Sequence, residues 1–306
     1  MTAYLGIDTS CYTTSAAVAD GGRRILCSIK IPLEVAKGNK GLQQSQAVFL
    51  HIQNFRALFE TNGLGKYGPF GGVCVSEKPR PQEGSYMPVF TVGDMVGTAL
   101  ANVLGVPLFR ATHQEGHLAA ALIGTEMPER FLAAHVSGGT TEILEAGRGG
   151  DSFDIRLIGR TLDIAAGQVI DRLAQKLGLS FPGGKHVEAL AGSGKDLKFK
   201  ISTSNTDINF SGLETQALRA LETEAREDVC YSVLRGIALS LERVLRKAAD
   251  ASGLHDFLLF GGVMSNRMIR AWLLRSLGGV RFAEIEYSSD NAAGLAVLAA
   301  QKGVNQ

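Results

Sequence analysis

Apolar positions along this chain follow two rhythms, and the rhythms repeat. Short apolar runs bounded by turn residues predict strands at 4–8, 15–19 and 24–31, a β-meander at the start of the chain. Residues 45–60 then carry helical periodicity, with Val48, Phe49, Ile52, Phe55, Leu58 and Phe59 on one side. A strand at 70–76, a helix at 92–104 and a strand at 106–110 complete this first series. Between them, 77–88 holds three prolines and reads as a long loop, because proline is excluded from a helix interior. The pattern then restarts. Strands are predicted at 131–136, 141–146 and 154–158, helices at 165–177 and 228–251, a strand at 257–260, and helices at 267–277 and 290–302. Pro182-Gly-Gly184 breaks the chain between them. Two successive series of meander, helix, strand and helix predict an α/β protein of two halves facing a cleft.

Composition narrows this reading. The chain has 306 residues, 45% apolar and 20% charged, enough to bury a sizeable core. A formal net charge of +1 gives no global attraction to nucleic acid or membrane. Cys11, Cys27, Cys74 and Cys230 are too widely spaced for a zinc knuckle or a disulfide framework, so reduced thiols in a cytoplasmic protein are expected. No basic, apolar leader opens the sequence, and no apolar run is long enough to span a membrane.

The candidate chemistry lies in histidines and glycines. His113 and His117 stand one turn apart on a predicted helix, so both imidazoles can reach one cation; the alternative is two solvated surface histidines. Glycine pairs at 138–139, 183–184 and 261–262 follow apolar runs. There a backbone approaches a phosphate closely, or simply makes a tight turn.

Eight motifs occur in order: Gly6-Ile-Asp-Thr-Ser-Cys11, His113-x-Glu-Gly-His117, Val136-Ser-Gly-Gly-Thr-Thr141, Thr161-Leu-Asp-Ile-Ala-Ala-Gly167, Phe181-Pro-Gly-Gly184, Asn209-Phe-Ser-Gly-Leu213, Gly261-Gly-Val-x-x-Asn266 and Ser289-Asp-Asn291. Together they resemble the TsaD, or glycoprotease-like, family. That family has the actin/hexokinase/Hsp70-like fold, α/β with two ribonuclease-H-like halves. The resemblance implies halves at 1–112 and 113–306, the last helix (290–302) packing back on the first. It also implies a threonylcarbamoyl, carbamoyl-type transferase that works from an adenylate in the interdomain cleft onto an adenosine of tRNA. Its cofactor would be one divalent transition metal, iron or zinc, with ATP or an adenylate as ligand and a heteromeric protein partner.

Carried over residue by residue, the resemblance implies metal ligands at His113, His117 and Asp290. His135, standing where some members have a tyrosine, is either a fourth ligand or a core histidine between strands. Ser137, Gly138 and Gly139 would offer N–H groups to a phosphate. Asp171 would bind ribose, or be an exposed helix charge. Gly184 would allow close approach to the adenosine. Asn266 would lie near the base or α-phosphate, or be a helix N-cap. Asp8 would orient metal or water.

Departures from the family pattern mark a divergent paralogue. Tyr12-Thr13 replaces Asp-Glu, Thr140 replaces His, and Asp163-Ile-Ala-Ala-Gly-Gln168 replaces Asp-Asp-Ala-Ala-Gly-Glu. A proline-rich stretch, Lys78 to Pro88, replaces a Gly-Pro-Gly loop. Its Lys78, Arg80 and Tyr86 suit a phosphate or a stacked base, or equally a lid or partner-docking surface. The lost carboxylates open a second reading, a catalytically decayed nucleotide- and metal-binding partner. A metallopeptidase fits worst, since Gln114 stands where a zinc protease places its glutamate.

Overall fold

The computed structural model describes residues 2–10, 12–34, 42–150, 152–288 and 291–304, and these form two compact units. The first comprises 1–123, 149–153 and 290–306; the second comprises 124–148 and 154–289.

In the first unit, β1 (Ala3–Asp8) is buried along its whole length, as a strand covered on both faces must be. It pairs antiparallel with β2 (Thr13–Asp20), which pairs antiparallel with β3 (Ile25–Pro32). After α1 (Gln44–Asn62), β4 (Phe70–Lys78) joins the other side of β1 in parallel. After α2 (Phe90–Leu104), β5 (Leu108–Thr112) extends the sheet in the order β3-β2-β1-β4-β5. The two-residue period of a strand sorts its side chains onto two faces. Leu5, Ile7, Val73 and Val75 pack with Phe55, Leu58 and Val92 of α1 and α2. The intervening Tyr4 and Cys74 pack with Phe109 on the opposite face. Helix α3 (His113–Ala121) follows β5 directly.

The second unit repeats the arrangement. β6 (Arg130–Val136), β7 (Thr141–Gly149) and β8 (Ser152–Arg160) form its meander. Then come α4 (Ala166–Lys176), α5 (Gly184–Ala191), the short hairpin β9 (Ser202–Ser204) and β10 (Asp207–Asn209), α6 (Ser211–Ala220) and α7 (Arg226–Ser252). β11 (Phe257–Phe260) lies parallel to β6 and, after α8 (Arg267–Ser276), β12 (Val280–Phe282) lies parallel to β11. The order β8-β7-β6-β11-β12 matches that of the first sheet. Its core is built from Val233, Ile237 and Leu241 of α7 against Val169, Leu173, Phe210 and Leu259.

The last helix, α9 (Ala293–Val304), belongs to the first unit and covers the Tyr4/Cys74 face with Leu295, Leu298 and Ala299. It also packs backbone to backbone on α3. A Cβ at Gly294 would lie 1.9 Å from the carbonyl oxygen of Gly116. Helix α3 therefore closes the first unit, rather than opening the second as a division at 112/113 placed it.

Among the described residues, the pattern reading missed five short elements, α5, α6, β9, β10 and β12. Each is ten residues or fewer, too short for its period to stand out. Helix α5 starts at Gly184, where Pro182-Gly-Gly184 read as a break. Proline is compatible with the approach to a helix N-terminus. The apolar side of α1 is wider than the sheet can cover: Phe49 and Ile52 are 58% and 51% exposed. No helix among the described residues is long and apolar enough to cross a membrane.

Candidate functional site

Asp8 ends β1 and is fully buried. Its carboxylate is held from three directions. Ser10 Oγ donates to Oδ2 at 2.5 Å, Ser76 Oγ of β4 donates to Oδ1, and His113 Nδ1 lies 3.2 Å from Oδ1. Burial pushes the Asp8 carboxyl up, but the charge and hydrogen bond of His113 and the Ser10 and Ser76 hydroxyls outweigh it, leaving it below its ordinary value. A hydrogen bond from Nδ1–H to this carboxylate places the imidazole lone pair on Nε2, the tautomer a metal ligand needs.

His113 is the first residue of α3. The helix starts there because Thr112 and Glu115 form a capping box: Glu115 N donates to Thr112 Oγ1 at 3.1 Å, and Thr112 N donates to Glu115 Oε2 at 2.7 Å. Ser152 Oγ also donates to Glu115. Glu115 is thus a structural anchor and is not positioned as a general base. One turn on, the His117 ring meets His113 edge to face, with centroids 4.3 Å apart and His117 buried. The two imidazoles predicted to share a face do share it.

The rest of the implied ligand set divides. Asp290 lies outside the described residues. His135, on β6 in the second unit, is 8% exposed and stacks on Phe260 of β11 with centroids 4.9 Å apart. That packing matches the core-histidine alternative. Among the described residues, no group of three or more His, Cys, Asp or Glu is arranged to hold a metal ion.

In the second unit, 137–140 turns between β6 and β7. Ser137 N donates to Thr140 O at 2.7 Å and Thr140 N donates to Ser137 Oγ at 3.1 Å. The Ser137 N–H is therefore engaged within the turn, a correction to its expected role as a phosphate donor. Gly138 and Gly139 are exposed, and a Cβ at either would meet nothing within 4 Å. The start of α4 sits directly behind this turn. Gly167 N donates to Ser137 O at 3.2 Å, and a Cβ on Gly167 would lie 2.6 Å from Gly138 Cα. Open space in front of two glycines and a helix N-terminus behind them suit an anion.

Asp171 of α4 is half-buried and accepts from Gly183 N at 2.8 Å, which ties the 181–184 loop to α4. Burial raises its carboxyl above the ordinary value despite that hydrogen bond. Gly184, like Gly138, faces open space. Asn266 is buried, and its Oδ1 accepts from Ile269 N at 2.9 Å. It is the N-cap of α8, the alternative considered for it, and that oxygen is not presented to a ligand. Gly261 has φ 101°, and a Cβ there would lie 2.3 Å from Val136 O, so that glycine answers strand packing.

Sequence reasoning passed over Ser10, Ser76 and Asp163. Asp163 accepts from Phe210 N (2.8 Å), Ser211 N (3.0 Å) and Ser211 Oγ (2.6 Å), joining the 161–167 motif to the start of α6. Two motifs separated by roughly forty residues are one structural device, an acid at a helix N-terminus. Burial raises the Asp163 carboxyl, but the Ser211 hydroxyl and the N–H donors outweigh it, so its value is lowered. A depressed carboxylate stabilises the fold above the ordinary value of 3.8 and loses that contribution as pH falls through its folded value. Asp163→Ala is expected to cost about 1–2 kcal/mol at neutral pH. Urea unfolding should show the gap from wild type shrinking as the pH is taken below that range; a gap that is the same at both ends would rule out the charged cap.

Residues 57–297 match the sequence model of the TsaD family, described as tRNA N6-adenosine threonylcarbamoyltransferase. A protein of that name from Caulobacter vibrioides is 33% identical over 97% of this chain and 86% of its own length. Another of that name, from Salinibacter ruber, is 32% identical over 97% of this chain and 93% of its length. Among solved structures, the activator of 2-hydroxyisocaproyl-CoA dehydratase from Clostridium difficile superposes with a TM-score of 0.59 at 16% identity, covering 99% of this chain and 96% of that one. The ROK hexokinase from Thermus thermophilus gives 0.52 at 16% identity, with both chains fully covered. These likenesses establish the actin/hexokinase/Hsp70-like fold.

Proposed function

This chain belongs to the TsaD family, and from that premise we propose that it is a threonylcarbamoyltransferase that takes the group from an adenylate and attaches it to N6 of a tRNA adenosine, using one divalent transition metal, iron or zinc. The single observation carrying the metal part is the Asp8–His113–His117 array of the first unit. Two imidazoles lie edge to face, and the first is oriented by a buried carboxylate. The metal would be held by His113 and His117 with Asp290, and when bound it would polarise a carbonyl as a Lewis acid. The close packing of α9 on Gly116 brings the segment after Asp290 against the same helix. This reading assigns His135, whose ring face stacks on Phe260, to the core alternative and leaves it outside the set.

Asp8 acts as a positioning residue. Both its oxygens already accept hydrogen bonds, and its lowered pKa suits an acceptor rather than an acid. The adenylate phosphate is assigned to Gly138 and Gly139 at the start of α4, with Asp171 and Gly184 bordering the nucleoside. The exposed Phe49 and Ile52 of α1 and Met95 of α2 support a protein partner on the first unit. A cytoplasmic location follows from a tRNA substrate.

A second reading, a decayed partner that still binds nucleotide and metal, is favoured by Gln168. Where the family carries a glutamate, its Oε1 accepts from Ala165 N at 3.1 Å and acts as a helix cap. The two readings separate on one assay. Purified protein is incubated with unmodified tRNA, threonine, bicarbonate, ATP and a synthase for the adenylate, and nucleosides are analysed by mass spectrometry. The transferase reading expects threonylcarbamoyladenosine. Unmodified tRNA from protein that still retains its metal would transfer support to the decayed partner.

A further inference from the structure

The loop at 79–89 replaces the family's Gly-Pro-Gly turn, and the structure ties both its ends to the Asp8–His113 array. At its start, Pro79 O accepts from Gln114 N at 3.1 Å, the residue after His113. At its end, Val89 O accepts from Thr9 Oγ1 at 2.8 Å, the residue after Asp8. Phe90, the next residue, has its ring 6.0 Å from that of His113. Within the loop, Arg80 N donates to Ser85 Oγ at 3.0 Å, Ser85 N donates to Gln82 O at 3.2 Å, and Met87 packs beside the buried Val89 and Phe90. The loop is therefore braced along its length. Tyr86 is 66% exposed on it, although both its sequence neighbours are partly covered. Two cations, Lys78 and Arg80, flank its start.

The chemistry of the acceptor says what such a residue is for. The N6 amino group of adenosine lies on the edge used for base pairing, so it can be acylated only when that base is unpaired, and proteins that read an unpaired base commonly splay it out of its stack into a pocket. Withdrawing it leaves an adjacent base without a stacking partner. A solvent-facing aromatic ring on a braced loop whose two ends are bonded to the residues next to Asp8 and His113 replaces the lost stack at little entropic cost. We infer that Tyr86 stacks on an unpaired tRNA base next to the target adenosine and that the 79–89 loop is the acceptor-docking rim of this transferase. This inference rests on the transferase reading and adds to it the residue that selects the acceptor.

The test measures tRNA affinity and modification side by side for wild type, Tyr86→Ala and Tyr86→Trp, with circular dichroism and metal content as controls. Unmodified tRNA is titrated by fluorescence anisotropy. Tyr86→Ala is expected to bind tRNA about 5- to 150-fold more weakly, with metal content and ATP affinity unchanged. Tyr86→Trp, which keeps an aromatic face, should stay near wild type. Equal tRNA affinity in wild type and Tyr86→Ala overturns the inference while leaving the transferase intact. Loss of a co-purifying protein, with tRNA affinity preserved, overturns it in favour of partner docking. If wild type binds tRNA through Tyr86 but modifies none, the docking assignment stands and the transferase fails. A wild-type protein that binds no tRNA overturns both.

Discussion

His117→Ala should leave the protein folded and strip it of its metal. Alanine is the best helix former, and the Thr112–Glu115 capping box that starts α3 is not touched, so the fold is expected to persist. Metal analysis of the purified variant should fall from one equivalent to traces, and transfer to tRNA should drop by about 10³-fold, the loss of a several-kcal/mol Lewis-acid contribution. Asp8→Ala should be milder. It removes the carboxylate that orients His113, and such partners contribute about 10- to 100-fold in metal affinity. His135→Ala is the discriminating control. Stacked on Phe260, it is expected to change stability and leave metal content alone. Full metal content in His117→Ala would remove the histidine pair from the site.

The second large effect is on folding. Gly294→Val is expected to destabilise the protein by on the order of 3–5 kcal/mol, read as a lowered midpoint in urea. The reason is geometric. A Cβ at Gly294 would lie 1.9 Å from Gly116 O and 2.7 Å from Ala120 N, and backbone atoms cannot swing aside as a side chain can. Helices α3 and α9 would have to separate, and α3 carries both histidines, so metal retention should fall with stability. Gly212→Ala in α6 is the matched control. A Cβ there meets nothing within 4 Å, so only helix propensity acts and the variant should be neutral or more stable by about 0.5–1 kcal/mol. Wild-type stability in Gly294→Val would mean that α3 and α9 do not pack as described.

The site was legible where its chemistry is local. His113 and His117 share a face because the helical period puts them there. The turn at 137–140 was legible as glycines after a strand. The roles of single residues were less so. Asn266 is open to a ligand-binding reading and to an N-cap one, and its Oδ1 accepts from Ile269 N as an N-cap does; the Ser137 N–H, expected at a phosphate, donates within its own turn to Thr140 O. The role of Asp163 is not visible in its motif, because its partners Phe210 and Ser211 lie 47 and 48 positions away. Nothing in local spacing connects a carboxylate to a helix start at that distance. His135 had two readings of equal weight, and its stacking on Phe260, delivered by β11 from the far end of the chain, favours the core one.

The sequence by itself determined the doubled meander-and-helix plan, the family, the histidine pair and the lost carboxylates, because strand and helix periods and contiguous motifs are properties of neighbouring residues. Tertiary structure decided which polar groups are engaged and which face open space. Burial makes a polar atom take whatever partner the fold brings to it. The carboxylate of Asp8 is claimed by Ser10, Ser76 and His113, three residues that meet only once β1, β4 and α3 have packed.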